Sequence, residues 1–342
     1  MSYKIKFLKS ISKMNITEND AIFLKDAIKN KLIDEEVLSL VCSHKLHNLL
    51  YKHINSLKML FNIKKSIALL LSERFIFTQN RAEEYFKLLS DIVLMLSKYN
   101  INYAFLKGIS IVKSLYADKE FIYRSFNDID ILVEKENVSV INDILLSMGF
   151  VQGYTDENYK LKEADRKAKL YWSLNSHQEH IYLKESSFTR FSPWLCNCID
   201  VNTTIFQGGK SNNPISTSEI LKHNRCNQII NNFFSLDYSY ELLQLCYHFH
   251  KDTFIYEIKK NNHEDYSLIQ FCDLREYILK YRNLINWNEF ITIINNNCLG
   301  DIVYNVLFLI DSFYGDINIK DIIDRIQTTK KSDVPDWEKV LL

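Results

Sequence analysis

Glycine and proline are scarce, with seven glycines and three prolines in 342 residues. A turn-rich all-β sandwich or barrel needs both at its corners. Their scarcity, beside abundant Leu, Ile, Lys and Glu, argues for helices. Net charge is missing too, since 42 Lys and Arg balance 42 Asp and Glu. A protein that grips long nucleic acid usually carries a basic excess, so an extended DNA or RNA surface is disfavoured and only a short local contact stays open. The basic cluster Lys160, Lys162, Arg166, Lys167 and Lys169 is interleaved with Glu163 and Asp165, and reads as a solvated helix face. No run of about 18 apolar residues predicts a transmembrane helix. The segment Met1-Ser2-Tyr3-Lys4-Ile5-Lys6 has neither the apolar core nor the cleavage site of a signal peptide. Seven cysteines, an odd number scattered along the chain, do not form a disulfide framework. The expectation is a cytoplasmic protein with reduced thiols. Also lacking are a Gly-x-Ser-x-Gly elbow, a P-loop and a dinucleotide fingerprint.

What is present is an ordinary globular composition, 47% apolar and 25% charged, on a chain long enough for two or three structural units. Residues 1–100 read as helices. Thr17 with Asp20 three residues on resembles a capping box opening the segment Glu18 to Leu32, and Asp34-Glu35-Glu36 opens another. From Lys64 to Lys98 there is hardly a breaker, and Ile67, Leu70, Leu71, Phe75, Phe77, Leu88, Leu89, Ile92 and Leu96 mark an apolar stripe. At Asn100 the pattern changes. Strands are predicted at Ile101–Leu106, Asp128–Val133, Phe150–Tyr154, His177–Leu183 and Cys196–Ile205, with Pro193 in the loop between the last two. Helices are predicted at Ser110–Tyr116, from Asn137 or Val138 to Met148, and at Asn158–Leu174. The stretch Gln207-Gly208-Gly209-Lys210-Ser211-Asn212-Asn213-Pro214 is the strongest breaker and is expected to end the α+β unit. From Thr217 the chain is expected to return to helices, with Asn-rich joints near 225–232, 261–263 and 295–297. The predicted organisation is an N-terminal helical region at 1–100, an α+β core at 101–208 and a C-terminal helical region at 209–342.

The chemistry concentrates in Phe105-Leu106-Lys107-Gly108 and Arg124-Ser125-Phe126-Asn127-Asp128-Ile129-Asp130-Ile131-Leu132-Val133. Alternation of Asp with Ile predicts a strand whose two aspartates share a face, about 7 Å apart. Unpaired, they would repel by roughly 2–3 kcal/mol at an effective dielectric of 20, so the pair calls for a cation, and a divalent metal is the natural one. Leu-Lys-Gly, a short helical run, Arg-x-x-x-Asp-x-Asp-Ile-Leu-Val and a helix ending in Met148-Gly149-Phe150 together resemble the polymerase-β-type nucleotidyltransferases. The resemblance is closest to a bacterial branch with Lys-Gly where other relatives have Gly-Ser, and covers roughly residues 100 to 300.

That resemblance implies a polymerase-β-like mixed sheet flanked by helical regions, and an enzyme that moves a nucleoside monophosphate, AMP from ATP. It implies that Asp128 and Asp130 bind two magnesium ions, with manganese as a substitute. A third carboxylate from a later strand would be Asp200, in Cys196-Asn197-Cys198-Ile199-Asp200-Val201-Asn202. Lys107, Gly108 and Ser110 would meet the triphosphate, although Ser110 stands two residues after the glycine. Arg124 would bind phosphate or acceptor, or pair with an acid and brace its loop. The neutral charge favours a small-molecule, peptide or protein acceptor over a polynucleotide. The alternatives are a toxin-like transferase acting on tRNA or a partner protein, and a relative that binds nucleotide or partner without turnover. Weaker clusters read as structural. Glu179 is expected on an exposed sheet face with His177, and Cys196 and Cys198 as buried small hydrophobes. Cys246 and His250 form at most half of a zinc site.

Overall fold

A computed structural model describes residues 2–188, 195–206, 214–227, 233–254, 267–329, 331 and 333–342. The expected breaker at 207–213, the Pro193 loop and the Asn-rich joints at 228–232 and 261–263 lie outside these residues. Helices α1 (Tyr3–Ile11), α2 (Glu18–Lys29), α3 (Glu35–Ser43), α4 (His47–Ser56) and α5 (Lys65–Lys98) fill the first hundred residues. The capping box at α2 is formed: the Asp20 N–H donates to Thr17 Oγ1 and the Thr17 N–H to Asp20 Oδ2, each at 3.1 Å. Asp34 caps α3 by accepting from the Val37 N–H at 2.9 Å.

Scarce glycine has a visible consequence at helix ends. Lys31, Lys45, Lys58 and Asn100 take the left-handed conformation, φ 52–58°, just past α2, α3, α4 and α5. Each is followed by an apolar residue whose N–H closes the 6→1 bond of a Schellman motif: Leu32 to Ala27, Leu46 to Val41, Met59 to Ile54 and Ile101 to Leu96. Glycine would adopt that backbone without strain. Here the hydrogen bonds of the motif hold a lysine or asparagine in it.

Next come β1 (Tyr103–Leu106), α6 (Lys107–Tyr116), a small ribbon of β2 (Ala117–Asp118) and β3 (Phe121–Ile122), β4 (Asp128–Val133) and α7 (Val138–Ser147). Then follow β5 (Val151–Thr155), β6 (Leu161–Glu163), α8 (Arg166–Asn175), β7 (Tyr182–Glu185), β8 (Cys196–Asn202), α9 (Thr217–Leu221), β9 (Arg225–Asn227) and β10 (Phe233–Ser235). The helices α10 (Tyr238–Phe254), α11 (Leu268–Tyr281), α12 (Trp287–Asn296) and α13 (Gly300–Tyr314) precede two short ones. Eight strands form one mixed sheet in the order β6-β5-β7-β8-β4-β1-β10-β9. Pairs β4–β8 and β1–β10 are parallel and the rest antiparallel.

Three expectations need correction. Lys160–Glu163 is not the start of a helix. Leu161–Glu163 pairs with β5, and only Arg166–Asn175 is helical, behind an Asp165 cap. The charges alternate helically, yet Gly153 lets the β6 backbone come so close that a Cβ there would lie 1.8 Å from the Lys162 carbonyl. The sheet also continues past the breaker, because β9 and β10 follow Thr217 and β10 joins β1. At three residues each, these strands are too short to show a period. The strand expected at His177–Leu183 is regular only at Tyr182–Glu185, with an isolated bridge from Gln178 to Asn202.

The chain divides into two compact units. One comprises Met1–Arg81, Val112–Ser125 and Leu245–Leu342; the other comprises Ala82–Ile111 and Phe126–Gln244, and contains the eight-stranded sheet. In the helical unit, His53 Nε2 meets the Lys13 carbonyl at 2.9 Å and is 2% exposed. Burial, aided by neighbouring Lys52, pushes the imidazole down to about 4, and burial beside Arg74 does the same to His47. In the sheet unit, Ile129, Ile131 and Val133 of β4 are fully buried on one face. The other face carries the acids.

Candidate active site

Strand β4 presents Asp128 and Asp130 on one face, as its alternation predicts. The parallel neighbour β8 is registered so that Asp130 stands opposite Asp200, Asp128 opposite Cys198 and Leu132 opposite Asn202. Adjacent strands lie about 4.8 Å apart. Two carboxylates therefore face each other across the strands, with a third one pleat along. Asp130 is 1% exposed, whereas Asp128 and Asp200 are half-buried.

The partner of Asp130 comes from the turn between β1 and α6. Lys107 Nζ lies 2.5 Å from Asp130 Oδ1. Burial alone would lower its pKa; Asp130, then Asp128, with Asp200 more weakly, outweigh it and hold the ammonium well above the usual lysine range. One cation thus feels three carboxylates. Lys107 also has φ +54°, here at a helix start rather than past a helix end. A left-handed non-glycine backbone costs roughly 1–2 kcal/mol. Here it belongs to the side chain that meets Asp130.

The other residues singled out in the sequence fall as follows. Gly108 is the buried second residue of α6. Ser110 is 2% exposed and donates its hydroxyl to the Lys107 carbonyl at 2.8 Å, inside the first turn of α6. Arg124 belongs to the helical unit, where its Nε and Nη2 donate to the two oxygens of Asp273 at 2.8 and 2.7 Å. Glu179 is buried and accepts from the Ser173 hydroxyl at 3.1 Å, so it is no exposed acid. Cys196 and Cys198 are half-exposed, on the same face of β8 as Asp200, and not fully buried. Cys246 is buried in α10.

Two participants had escaped the sequence. Asn202 Nδ2 donates to Asp130 Oδ1 at 3.1 Å and to the Asp200 carbonyl at 3.2 Å. It shares strand parity with Asp200, and that parity could have found it. Tyr85 of α5 donates to the Asn127 carbonyl and accepts from the Cys198 N–H. Nothing local marks it, since it lies about forty residues before the aspartates.

The donor set is oxygen-rich and carboxylate-based. Among the described residues no three His, Cys, Asp or Glu side chains close around one point as a metal cage would. Magnesium asks for less, taking one or two carboxylates and completing its shell with water and phosphate oxygens. Asp128, Asp130 and Asp200 fit that demand, and the Lys107 ammonium marks where positive charge is drawn.

The sequence model of the uncharacterised nucleotidyltransferase family matches residues 31–315, a span that includes Lys107, all three aspartates and helices on both sides. The chain belongs to that family. No curated protein and no solved structure matches it. The mixed α+β architecture is that of a nucleotidyltransferase, and family membership makes the chain a transferase with a nucleotide substrate. Among the described residues of this nucleotidyltransferase, no helix is long and apolar enough to cross a membrane.

Proposed function

We propose that this nucleotidyltransferase is magnesium-dependent and transfers AMP from ATP to a hydroxyl or amine of a small molecule, peptide or protein. The observation that carries the reading is the in-register pair Asp130 and Asp200, with Asp128 on the same face and the Lys107 ammonium within the field of all three. Magnesium ions held by Asp128, Asp130 and Asp200 would supply the charge that offsets the triphosphate and the attacking oxygen. Lys107 exchanges Asp130 for a phosphate oxygen as nucleotide enters. Gly108, lacking a side chain, opens the N–H groups at the start of α6 to phosphate, where the helix favours anions. Asp200 takes the acceptor's proton while the acceptor's oxygen or nitrogen bonds to the α-phosphorus. The bond from that phosphorus to its bridging oxygen breaks, and pyrophosphate leaves. Ser110 and Arg124 serve structure in this scheme, through the first turn of α6 and the Asp273 pair.

Calorimetric titration of a non-hydrolysable ATP analogue, with magnesium and with EDTA, tests the reading. Binding should need the metal and weaken by about a hundredfold in Asp128→Ala/Asp130→Ala. Metal-independent binding that the substitutions leave intact would move the nucleotide elsewhere. Transfer of label from ATP to bulk RNA, and to nothing smaller, would overturn the acceptor class that neutral charge supports.

One observation favours a second reading. The Lys107 ammonium already neutralises Asp130, so the fold could bind nucleotide or a partner without turnover. Full cellular function in Asp128→Ala and Asp200→Ala proteins would select that reading.

A further inference from the structure

The two acid-bearing strands are fastened by one hydroxyl. Tyr85 is fully buried on α5, and its oxygen donates to the carbonyl of Asn127, the residue before Asp128. The same oxygen accepts from the N–H of Cys198 at 3.2 Å, and Cys198 is the register partner of Asp128. A tyrosine hydroxyl can donate and accept at once, and this one does so where the β4–β8 ladder begins. Its ring is held against Phe126, 5.3 Å between centroids, and Phe126 also packs on Phe86. The residue before it, Glu84, holds the same N-terminal end of β8 to the segment that follows β7. Its carboxylate accepts from the Ser187 N–H at 2.7 Å, the Ser186 hydroxyl at 2.9 Å and the Asn197 amide at 3.2 Å. Two consecutive residues of α5 thus fix β8 against the β7 turn and against β4.

We infer that Tyr85 is a positioning residue for the carboxylate site: it sets the separation of Asp128 from Asp200 and thereby the affinity for magnesium nucleotide. This rests on the nucleotidyl-transfer reading above. Parallel strands that slide or splay at this end would part the carboxylates, while the apolar face of β4 stayed packed. Removing the hydroxyl takes one hydrogen-bond partner from the Asn127 carbonyl and one from the Cys198 N–H at once.

Two measurements test it. The first is amide hydrogen exchange of the ligand-free protein over the segments that hold Asp128 and Cys198. Slow exchange in wild type that quickens at least tenfold in Tyr85→Phe, with the rest of the sheet unchanged, supports the clamp. Fast exchange at Cys198 in wild type, or no change in the variant, overturns it. The second is the magnesium concentration that half-saturates binding of the ATP analogue. Tyr85→Phe should raise it by about 10- to 100-fold. Tyr182→Phe, which removes another buried hydroxyl of the sheet unit by breaking its 3.1 Å bond to Asn142, should leave it within threefold. An equal effect of both substitutions would reduce Tyr85 to a general structural role. Loss of all metal dependence in wild type would retire the nucleotidyl-transfer reading instead, and the exchange measurement would still decide the clamp.

Discussion

Arg124 and Lys107 both precede the aspartate strand and both meet a carboxylate, one in the helical unit and one in the sheet unit. Burial does not separate them: the side chains are 12% and 5% exposed for Arg124 and Asp273, and 16% and 1% for Lys107 and Asp130. Geometry does. Arg124 grips both oxygens of Asp273, and the Tyr116 hydroxyl donates to the same carboxylate at 2.6 Å. Both oxygens of the carboxylate are engaged, and the pair is closed. Lys107 touches one oxygen of Asp130 and serves two further carboxylates besides. Three carboxylates gathered on one sheet face have reason to hold a divalent cation together with a nucleotide's phosphates. A buried ion pair is therefore weak evidence of function, and several carboxylates converging on one face are better evidence.

The comparison breaks most visibly at the closed pair. Arg124→Ala should cost about 3–5 kcal/mol, because it strands the Asp273 charge in the interior. Urea unfolding followed by circular dichroism would measure it. Arg124→Ala/Asp273→Ala should recover part of the loss, since no charge is then left behind. A loss under about 1 kcal/mol would mean that the pair is solvated in solution and open like its counterpart.

The helical unit should also be the one that acid attacks first. Burial pushes His47 and His53 down to about 4 when folded, against about 6.5 for a free imidazole. Depressed histidines leave stability intact above 6.5 and remove it as pH falls toward 4, because the unfolded chain binds the extra protons. The loss is on the order of 3 kcal/mol per imidazole by pH 4. Melting temperatures of wild type and His53→Gln between pH 7 and 4.5 would check this. The variant's curve should be the flatter, and parallel curves would mean that His53 is already charged when folded.

How much of this could be read beforehand depends on the range of the forces involved. Asp128 and Asp130 were legible because strand parity is local, and Thr17 with Asp20 because a cap spans three residues. The opposition of Asp130 to Asp200 was not, since register between strands seventy residues apart is decided by packing of both faces. Lys160–Glu163 misled for the reverse reason. Its charges suit a helix, but pairing with Gly153 overrides local preference. The attachment of Phe233–Ser235 to β1 and the reach of Tyr85 across to Asn127 are tertiary facts with no local sequence sign.

Lys107 supplies the finest test of the difference between the two pairs. Lys107→Met leaves the Asn202 amide on Asp130 but withdraws the cation shared by three acids. Without metal the variant should lose about 2 kcal/mol, the scale of a hydrogen bond to a charged group. Added magnesium should then do what it does not do for wild type. With no ammonium competing, the carboxylates bind the ion even without nucleotide, and at ten times its Kd they regain about 1.4 kcal/mol. The melting temperature of Lys107→Met should accordingly climb with magnesium and not with sodium at equal ionic strength, while that of wild type stays level. A variant indifferent to magnesium would show that Lys107 and Asp130 form a closed pair after all, equivalent to Arg124 and Asp273. The site would then lack the pull on a divalent cation that the proposed chemistry requires.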